Sequence, residues 1–328
     1  MILASHKGTK ARKKLGVFVS LCENKHTILE GSLEVNMRDL RVDVGGIALQ
    51  IREYEREGDT IIFLHFGGGN LMMWQRVVPY FQDHYRLLLV DLRDHGKSDK
   101  PQNSGHIDEM ARDVAGVMGQ LEIERAHIVG SSLGAEVGLS MAANFPEKVT
   151  SLVCEGALCS EYGPYGVWDG SEAEFKEYVA RTLAEVHNGS DQVFTSVNAL
   201  VEARKQVFEK HGWWNKYVEA FLEYDAFEVS KGRFTRSWQN LAKEKYLEHY
   251  FECRFEDYYE RVKCPVLMLP GEADMQDERA KIAMKGLSQL VSRAKIVPAP
   301  GWVHPYGWLL DLEEISKVIL GFLAEVHC

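Results

Sequence analysis

The chain has 328 residues, 45% of them hydrophobic and 26% charged, with a net charge of −10. That is enough apolar material for a sizeable core, in one large domain or a domain with an insertion. The acidic balance argues against nucleic acid and anionic membranes as partners, and no apolar run nears the roughly 20 residues of a membrane-spanning helix.

The N-terminal stretch carries a basic patch (Lys7, Lys10, Arg12, Lys13, Lys14) ahead of a short apolar run at residues 15–22. A basic segment before an apolar one resembles a signal peptide. Gly16 and Ser20 interrupt the run, however, and no A-x-A-like site follows, so residues 1–40 read as an extension of a cytoplasmic protein. Residues 42–44 and 47–54 then predict a hairpin turning at Gly45-Gly46. Short, fully apolar runs follow at 61–64, 86–90, 126–129, 149–153, 266–269 and 294–297, as expected for strands buried on both faces. Helical patterns lie between them at 110–121, 133–144, 278–290 and 313–323. Such alternation implies a parallel sheet with helices on both faces.

Residues 161–261 break the rhythm. They carry no buried-strand signal, are helical in tendency and are rich in aromatics, among them Trp168, Trp213, Trp214, Phe221 and Trp238. The stretch reads as a helical insertion whose aromatics mostly form its own core, with a few lining a pocket. Six cysteines (Cys22, Cys154, Cys159, Cys253, Cys264, Cys328) show no C-x-x-C spacing, which predicts free thiols and no zinc or redox site.

The chemistry concentrates in three loops. Gly130-Ser131-Ser132-Leu133-Gly134 follows one predicted strand and opens a helix, the G-x-S-x-G pattern that exposes a serine hydroxyl on a tight turn. Only Ser132 is central between the glycines. A nucleophilic serine needs a base and oxyanion donors. His65-Phe66-Gly67-Gly68-Gly69 follows the first buried strand, where backbone N–H groups can approach a ligand closely, and His304 lies in a loop between the last strand and the last helix.

Together these segments resemble the α/β-hydrolase family from about residue 42 to residue 326. Residues 91–98 (DLRDHGKS) are similar to the family's D-x-R-G-x-G-x-S segment, with Asp94 where glycine is usual. Phe145-Pro146-Glu147-Lys148-Val149 and Lys263-Cys264-Pro265-Val266-Leu267 also match the family's runs, whereas Phe66 stands where the oxyanion loop usually has glycine. The resemblance implies a mostly parallel, eight-stranded α/β sheet flanked by helices, with a core over 41–160 and 262–328 and a helical cap over 161–261. It implies Ser132 as nucleophile and His304 as general base, with Leu133 and either Gly67 or Gly68 donating to the oxyanion. Phe66, Ser131 and Trp302 are expected to contact substrate. Asp274, after the seventh strand, is the favoured triad acid, and Glu155, after the sixth, is the alternative.

The implied reaction is acyl transfer to water on a small or medium, largely apolar ester or lactone, with no metal or cofactor. A serine at the elbow argues against the family's dehalogenases and epoxide hydrolases, which use aspartate there. A C–C hydrolase of a diketone-type substrate is an alternative, with Arg233 or Arg236 beside Trp238 as the cation for a substrate carboxylate. A non-catalytic small-molecule binder is another.

Overall fold

The computed structural model describes residues 36–103, 105–156 and 159–326. The basic patch and apolar run near the N-terminus, with Cys22 and Cys328, lie outside the described residues.

The strands are β1 (Asn36–Asp43), β2 (Ala48–Glu55), β3 (Thr60–Leu64), β4 (Arg86–Val90), β5 (Ala126–Ser131), β6 (Val149–Glu155), β7 (Ala226–Ser230), β8 (Arg233–Arg236), β9 (Val266–Leu269) and β10 (Ala294–Ile296). Eight of them form one sheet in the order β1-β2-β4-β3-β5-β6-β9-β10. β2 runs antiparallel to β1 and β4, and every other neighbouring pair is parallel. The expected eight-stranded, mostly parallel sheet is therefore present. Its edge strand β1 starts at Asn36, so residues 36–40, read from sequence as extension, belong to the sheet.

Among the described residues eleven α-helices accompany the strands: α1 (Val78–Phe81), α2 (Ile107–Gln120), α3 (Leu133–Asn144), α4 (Glu172–His187), α5 (Val197–Lys210), α6 (Lys216–Tyr224), α7 (Asn240–Tyr250), α8 (Phe255–Tyr259), α9 (Glu272–Gln276), α10 (Glu278–Leu290) and α11 (Glu313–Val326). Alternation along the central strands feeds two cores. Ile62, Leu64, Leu88, Val90, Ile128, Leu152 and Met268 face one side, with Val114 of α2, Val137 of α3 and Met284 of α10. Ile61, Phe63, Leu87, Leu89, Val129, Val153 and Leu267 face the other, with Phe81 of α1 and Ile319 of α11. Each such side chain stabilises the fold by about 1.5–3 kcal/mol on burial, so both faces must stay covered. The result is a rigid sheet whose strand ends present the loops that follow β3, β5 and β6.

The insertion between β6 and β9 holds α4 to α8, as its helical tendency predicted, and also the β7–β8 hairpin, which the sequence reading missed. The reason is physical: the hairpin strands mix exposed and half-buried residues, with Thr235 the one buried residue, so they carry no apolar run. An aromatic cluster of Tyr162, Trp168, Phe175, Tyr178 and Phe251 forms the insertion's own core. Phe208 of α5, Phe221 of α6 and Trp238 instead reach the loops at the sheet's end. Cys154, Cys159, Cys253 and Cys264 are free thiols. Among the described residues no helix is long and apolar enough to cross a membrane.

Candidate active site

Ser132 sits between β5 and α3 with φ 51° and ψ −120°, a left-handed conformation costly for a side-chain-bearing residue. The turn is possible because its neighbours lack side chains. A Cβ on Gly130 would lie 2.3 Å from the Gly134 carbonyl oxygen, and one on Gly134 would lie 2.0 Å from that of Leu64. The Ser132 N–H donates to the Glu155 carbonyl at 2.7 Å, which ties the elbow to the end of β6.

His304 meets a carboxylate, and that carboxylate is Glu155. The ring's Nδ1 lies 2.6 Å from Glu155 Oε1, which assigns the proton to Nδ1 and leaves Nε2 as the basic nitrogen. Glu155 is fully buried and accepts three further bonds: Ser131 Oγ to Oε2 at 2.5 Å, Trp308 Nε1 to Oε2 at 3.0 Å and Trp302 Nε1 to Oε1 at 3.0 Å. Burial alone would raise its pKa. The hydrogen bond and charge of His304, with the Ser131 and Trp308 bonds, outweigh burial and hold the carboxyl below its ordinary value. For His304, burial pulls the other way from its partner, and the bond and charge of Glu155 win, raising the imidazole above 6.5.

This corrects the sequence-based preference for Asp274 as the carboxylate facing His304. Asp274 Oδ2 accepts the Gly271 N–H at 2.9 Å and caps α9, so its lone pairs serve a helix terminus. It reaches His304 only as a longer-range charge. Ser131 and Trp302, expected among substrate contacts, spend their donors on Glu155. Ser131 is its cross-strand neighbour in the β5–β6 register. Phe66 is buried against Phe221 and Tyr306, with ring centroids 6.0 and 5.6 Å away.

Gly156 has φ +66°, and a Cβ there would sit 2.2 Å from His304 Cε1 and 2.5 Å from Nδ1. The ring occupies the space a side chain would need. Gly156→Ala should therefore expel the imidazole and break the Glu155 bond, at a cost of about 1–3 kcal/mol in stability. The far-downfield proton resonance of a short Nδ1–H bond, expected in the native protein, should disappear in the variant.

The two glycines expected to supply an oxyanion donor are not equivalent. The Gly68 N–H donates to His95 Nε2 at 2.9 Å and is therefore unavailable to a ligand. Among the described residues the N–H groups of Gly67 and Leu133 donate to no protein acceptor. His65 and His95 are both fully buried and hold backbone atoms. Asp94, at a position where glycine is usual, adopts φ 65°, a conformation aspartate tolerates better than most residues, and its side chain accepts the Gln102 N–H at 3.0 Å. Of the arginines read as cations for a carboxylate, Arg233 is exposed on the hairpin and Arg236 is bound to Asp225 Oδ2 at 2.7 Å. Trp308 and Gly156 escaped the sequence reading. Each looks like ordinary core or turn chemistry until its neighbours are known.

A strained serine elbow on a mostly parallel eight-stranded sheet, with a late histidine paired to a buried carboxylate, defines a hydrolase-type site. A sequence profile of the alpha/beta hydrolase fold matches residues 59–281, and the chain belongs to that family. It is similar to 3-oxoadipate enol-lactonase 2 of Acinetobacter baylyi, 26% identical over 215 residues, 66% of this chain and 71% of that protein. It is also similar to 2-hydroxy-6-oxononadienedioate/2-hydroxy-6-oxononatrienedioate hydrolase of Escherichia coli, 33% identical over 126 residues, 36% of this chain and 44% of that protein, so this match spans less than half of the relative. Among solved structures, E-2-(acetamidomethylene)succinate hydrolase aligns with a TM-score of 0.68 and 25% identity over 88% of this chain and 100% of that one.

Proposed function

We propose that this family member is a serine hydrolase acting on an ester or lactone through an acyl-enzyme on Ser132. The observation that carries the reading is the pairing of His304 Nδ1 with the buried Glu155 beside a serine in the elbow conformation. In this reading Ser132 Oγ attacks the substrate carbonyl carbon while His304 Nε2 takes its proton. Glu155 holds the tautomer and stabilises the imidazolium. The N–H groups of Gly67 and Leu133 receive the developing oxyanion. The tetrahedral intermediate collapses as His304 returns the proton to the leaving oxygen, and water then repeats the sequence to release the acid. Labelling by a fluorophosphonate should occur in the native protein and vanish in His304→Ala as well as in the serine variant. Tight binding of a small molecule with no labelling would favour a non-catalytic binder.

One observation favours an acidic substrate, and with it C–C hydrolysis as a second reading of the bond cleaved. Arg204 lies on the inward stripe of α5 between Val201 and Phe208, within electrostatic range of Arg236, Asp225 and Tyr306. Burial first, then repulsion from Arg236, lowers its pKa, so a carboxylate arriving there would relieve both. Phe208 and Phe66 both pack on Tyr306, at 5.0 and 5.6 Å, which puts this cation near the oxyanion loop. The names of the three relatives all carry a dicarboxylic acid: an adipate, a dioate and a succinate. Arg204→Gln is expected to lower the ratio of kcat/KM for a carboxylate-bearing ester over a neutral one by about 10- to 100-fold. An unchanged ratio would remove Arg204 from substrate recognition.

A further inference from the structure

Three consecutive peptide planes of the loop after β3 are held by side chains from three different parts of the chain. In the first plane, the Phe66 carbonyl accepts from His65 Nδ1 at 2.8 Å and from the Gly69 N–H at 2.8 Å. A trans peptide points its N–H opposite its carbonyl, so the Gly67 N–H faces away from that pair and stays free. In the second plane, the Gly68 N–H donates to His95 Nε2 at 2.9 Å. In the third, the Gly68 carbonyl accepts from Arg236 Nη2 at 2.6 Å, and Arg236 is itself anchored on the buried Asp225.

The two histidines are crossed. His65, from the β3 loop, accepts the Leu92 N–H of the β4 loop at 3.0 Å, while His95, from the β4 loop, accepts the Gly68 N–H of the β3 loop. Their rings lie 4.8 Å apart, and each donates Nδ1–H to a carbonyl of its own loop. Both bonds need a neutral ring with a bare Nε2. Burial supplies it, pulling His65 down to about 4 and His95 well below its ordinary value. The other side of the loop is closed by the insertion. Trp238 stacks on His95 at 5.1 Å and lies so close to Gly67 that a Cβ there would be 3.1 Å from the indole. Ser237 Oγ, held by Asp225 at 2.6 Å, accepts the Gly96 N–H at 2.9 Å and fastens the same segment to the β4 loop.

We infer that the crossed pair His65 and His95, together with Arg236 of the insertion, are positioning residues that set the peptide planes of this loop so that the Gly67 N–H remains the oxyanion donor. This rests on the serine-hydrolase reading, and the native protein beside its serine variant tests that reading first. Two substitutions then separate the roles of His95. His95→Phe keeps a ring between His65 and Trp238 but removes the acceptor for Gly68. His95→Gln gives up the ring and keeps an acceptor.

For His95→Phe, kcat should fall about 10- to 100-fold with KM changed less than about threefold, because a displaced donor is felt where the oxyanion forms. Affinity for an aryl boronic acid, whose serine adduct places an oxygen in the same site, should weaken by a similar factor. His95→Gln should recover most of both. If His95→Phe does not fold, Arg236→Lys probes the same loop from its carbonyl side. It keeps a cation near Asp225 but cannot bridge Asp225 and the Gly68 carbonyl, and the same loss in kcat at constant KM is expected. Native kcat and boronic acid affinity in His95→Phe, or in Arg236→Lys where that variant stands in, would overturn the inference. So would a loss in His95→Gln equal to that in His95→Phe. A native protein with no serine-dependent turnover would instead end the functional reading on which the inference stands.

Discussion

Ser132→Ala is expected to reduce ester or lactone turnover by roughly 10⁶-fold, the scale seen when a serine triad loses its nucleophile, and to abolish fluorophosphonate labelling. The size follows from the site's division of labour. In the acyl-enzyme reading, His304, Glu155 and the N–H groups of Gly67 and Leu133 all act on the oxygen that Ser132 contributes or on the charge its attack creates, so without it they have nothing to act on. The variant should fold normally, because alanine and serine meet the same backbone strain at φ 51° and the Ser132 N–H bond to the Glu155 carbonyl does not involve the hydroxyl. Thermal unfolding and turnover measured on one preparation provide the check. Turnover near the native rate in a well-folded Ser132→Ala protein would end the acyl-enzyme reading.

Glu155→Gln should lower kcat by roughly 10³- to 10⁴-fold, whereas Asp274→Asn should stay within about threefold. Four donors converge on the Glu155 carboxylate: Ser131 Oγ, the indoles of Trp302 and Trp308, and His304 Nδ1. A glutamine offers one acceptor oxygen and turns the other arm into a donor. The imidazole then relieves the clash by moving its proton to Nε2, which disarms the base. Asp274→Asn removes a helix-capping charge and costs about 1 kcal/mol of stability at most.

The pH profile separates the same two carboxylates. In the proposed mechanism His304 is the base in its neutral form, so its raised pKa should put the acid limb of kcat/KM at a midpoint above the ordinary imidazole value, with activity rising as pH rises. In Glu155→Gln the raising partner is gone while burial remains, so the midpoint should fall. The sign for stability differs between the partners. Glu155, held below 4.5, contributes stability that is lost as pH falls through its lowered pKa. His304, held above 6.5, contributes stability that is lost as pH rises through its raised one. The pair therefore stabilises the fold most between these two values. A midpoint unmoved by Glu155→Gln but shifted by Asp274→Asn would return the role to Asp274.

Much of the scaffold was legible because the signal is local. A strand buried on both faces must be apolar throughout, so the runs at β3, β4, β5, β6 and β9 stand out from their polar surroundings. The β7–β8 hairpin was illegible for a different reason: its strands mix exposed and half-buried residues without an apolar run, and its pairing is made by backbone atoms that any sequence supplies. Arg204 escaped notice because an arginine on α5 reads as a solvated face until Phe208, Tyr306 and Arg236 are seen around it.

By itself the sequence determined the elbow, since glycines two residues before and after Ser132 leave the room that the tight turn needs. It also determined the layered α/β architecture and, through chain order, the placing of His304 after the last strand. Tertiary structure decided which carboxylate meets His304 and which glycine keeps a free N–H. Glu155 ends β6 and Asp274 lies in α9, just after the neighbouring parallel strand β9, so both acids sit at the same end of the sheet. Only the folded chain shows that one turns inward to four donors while the other spends its oxygen on the start of α9. Likewise Gly67 and Gly68 are adjacent and chemically identical, and what distinguishes them is a histidine that reaches them from the next strand's loop. Hydrogen-bond donors and acceptors are consumed by partners distant in sequence, so a residue's type shows what it can do and its neighbours in space decide what it is left free to do.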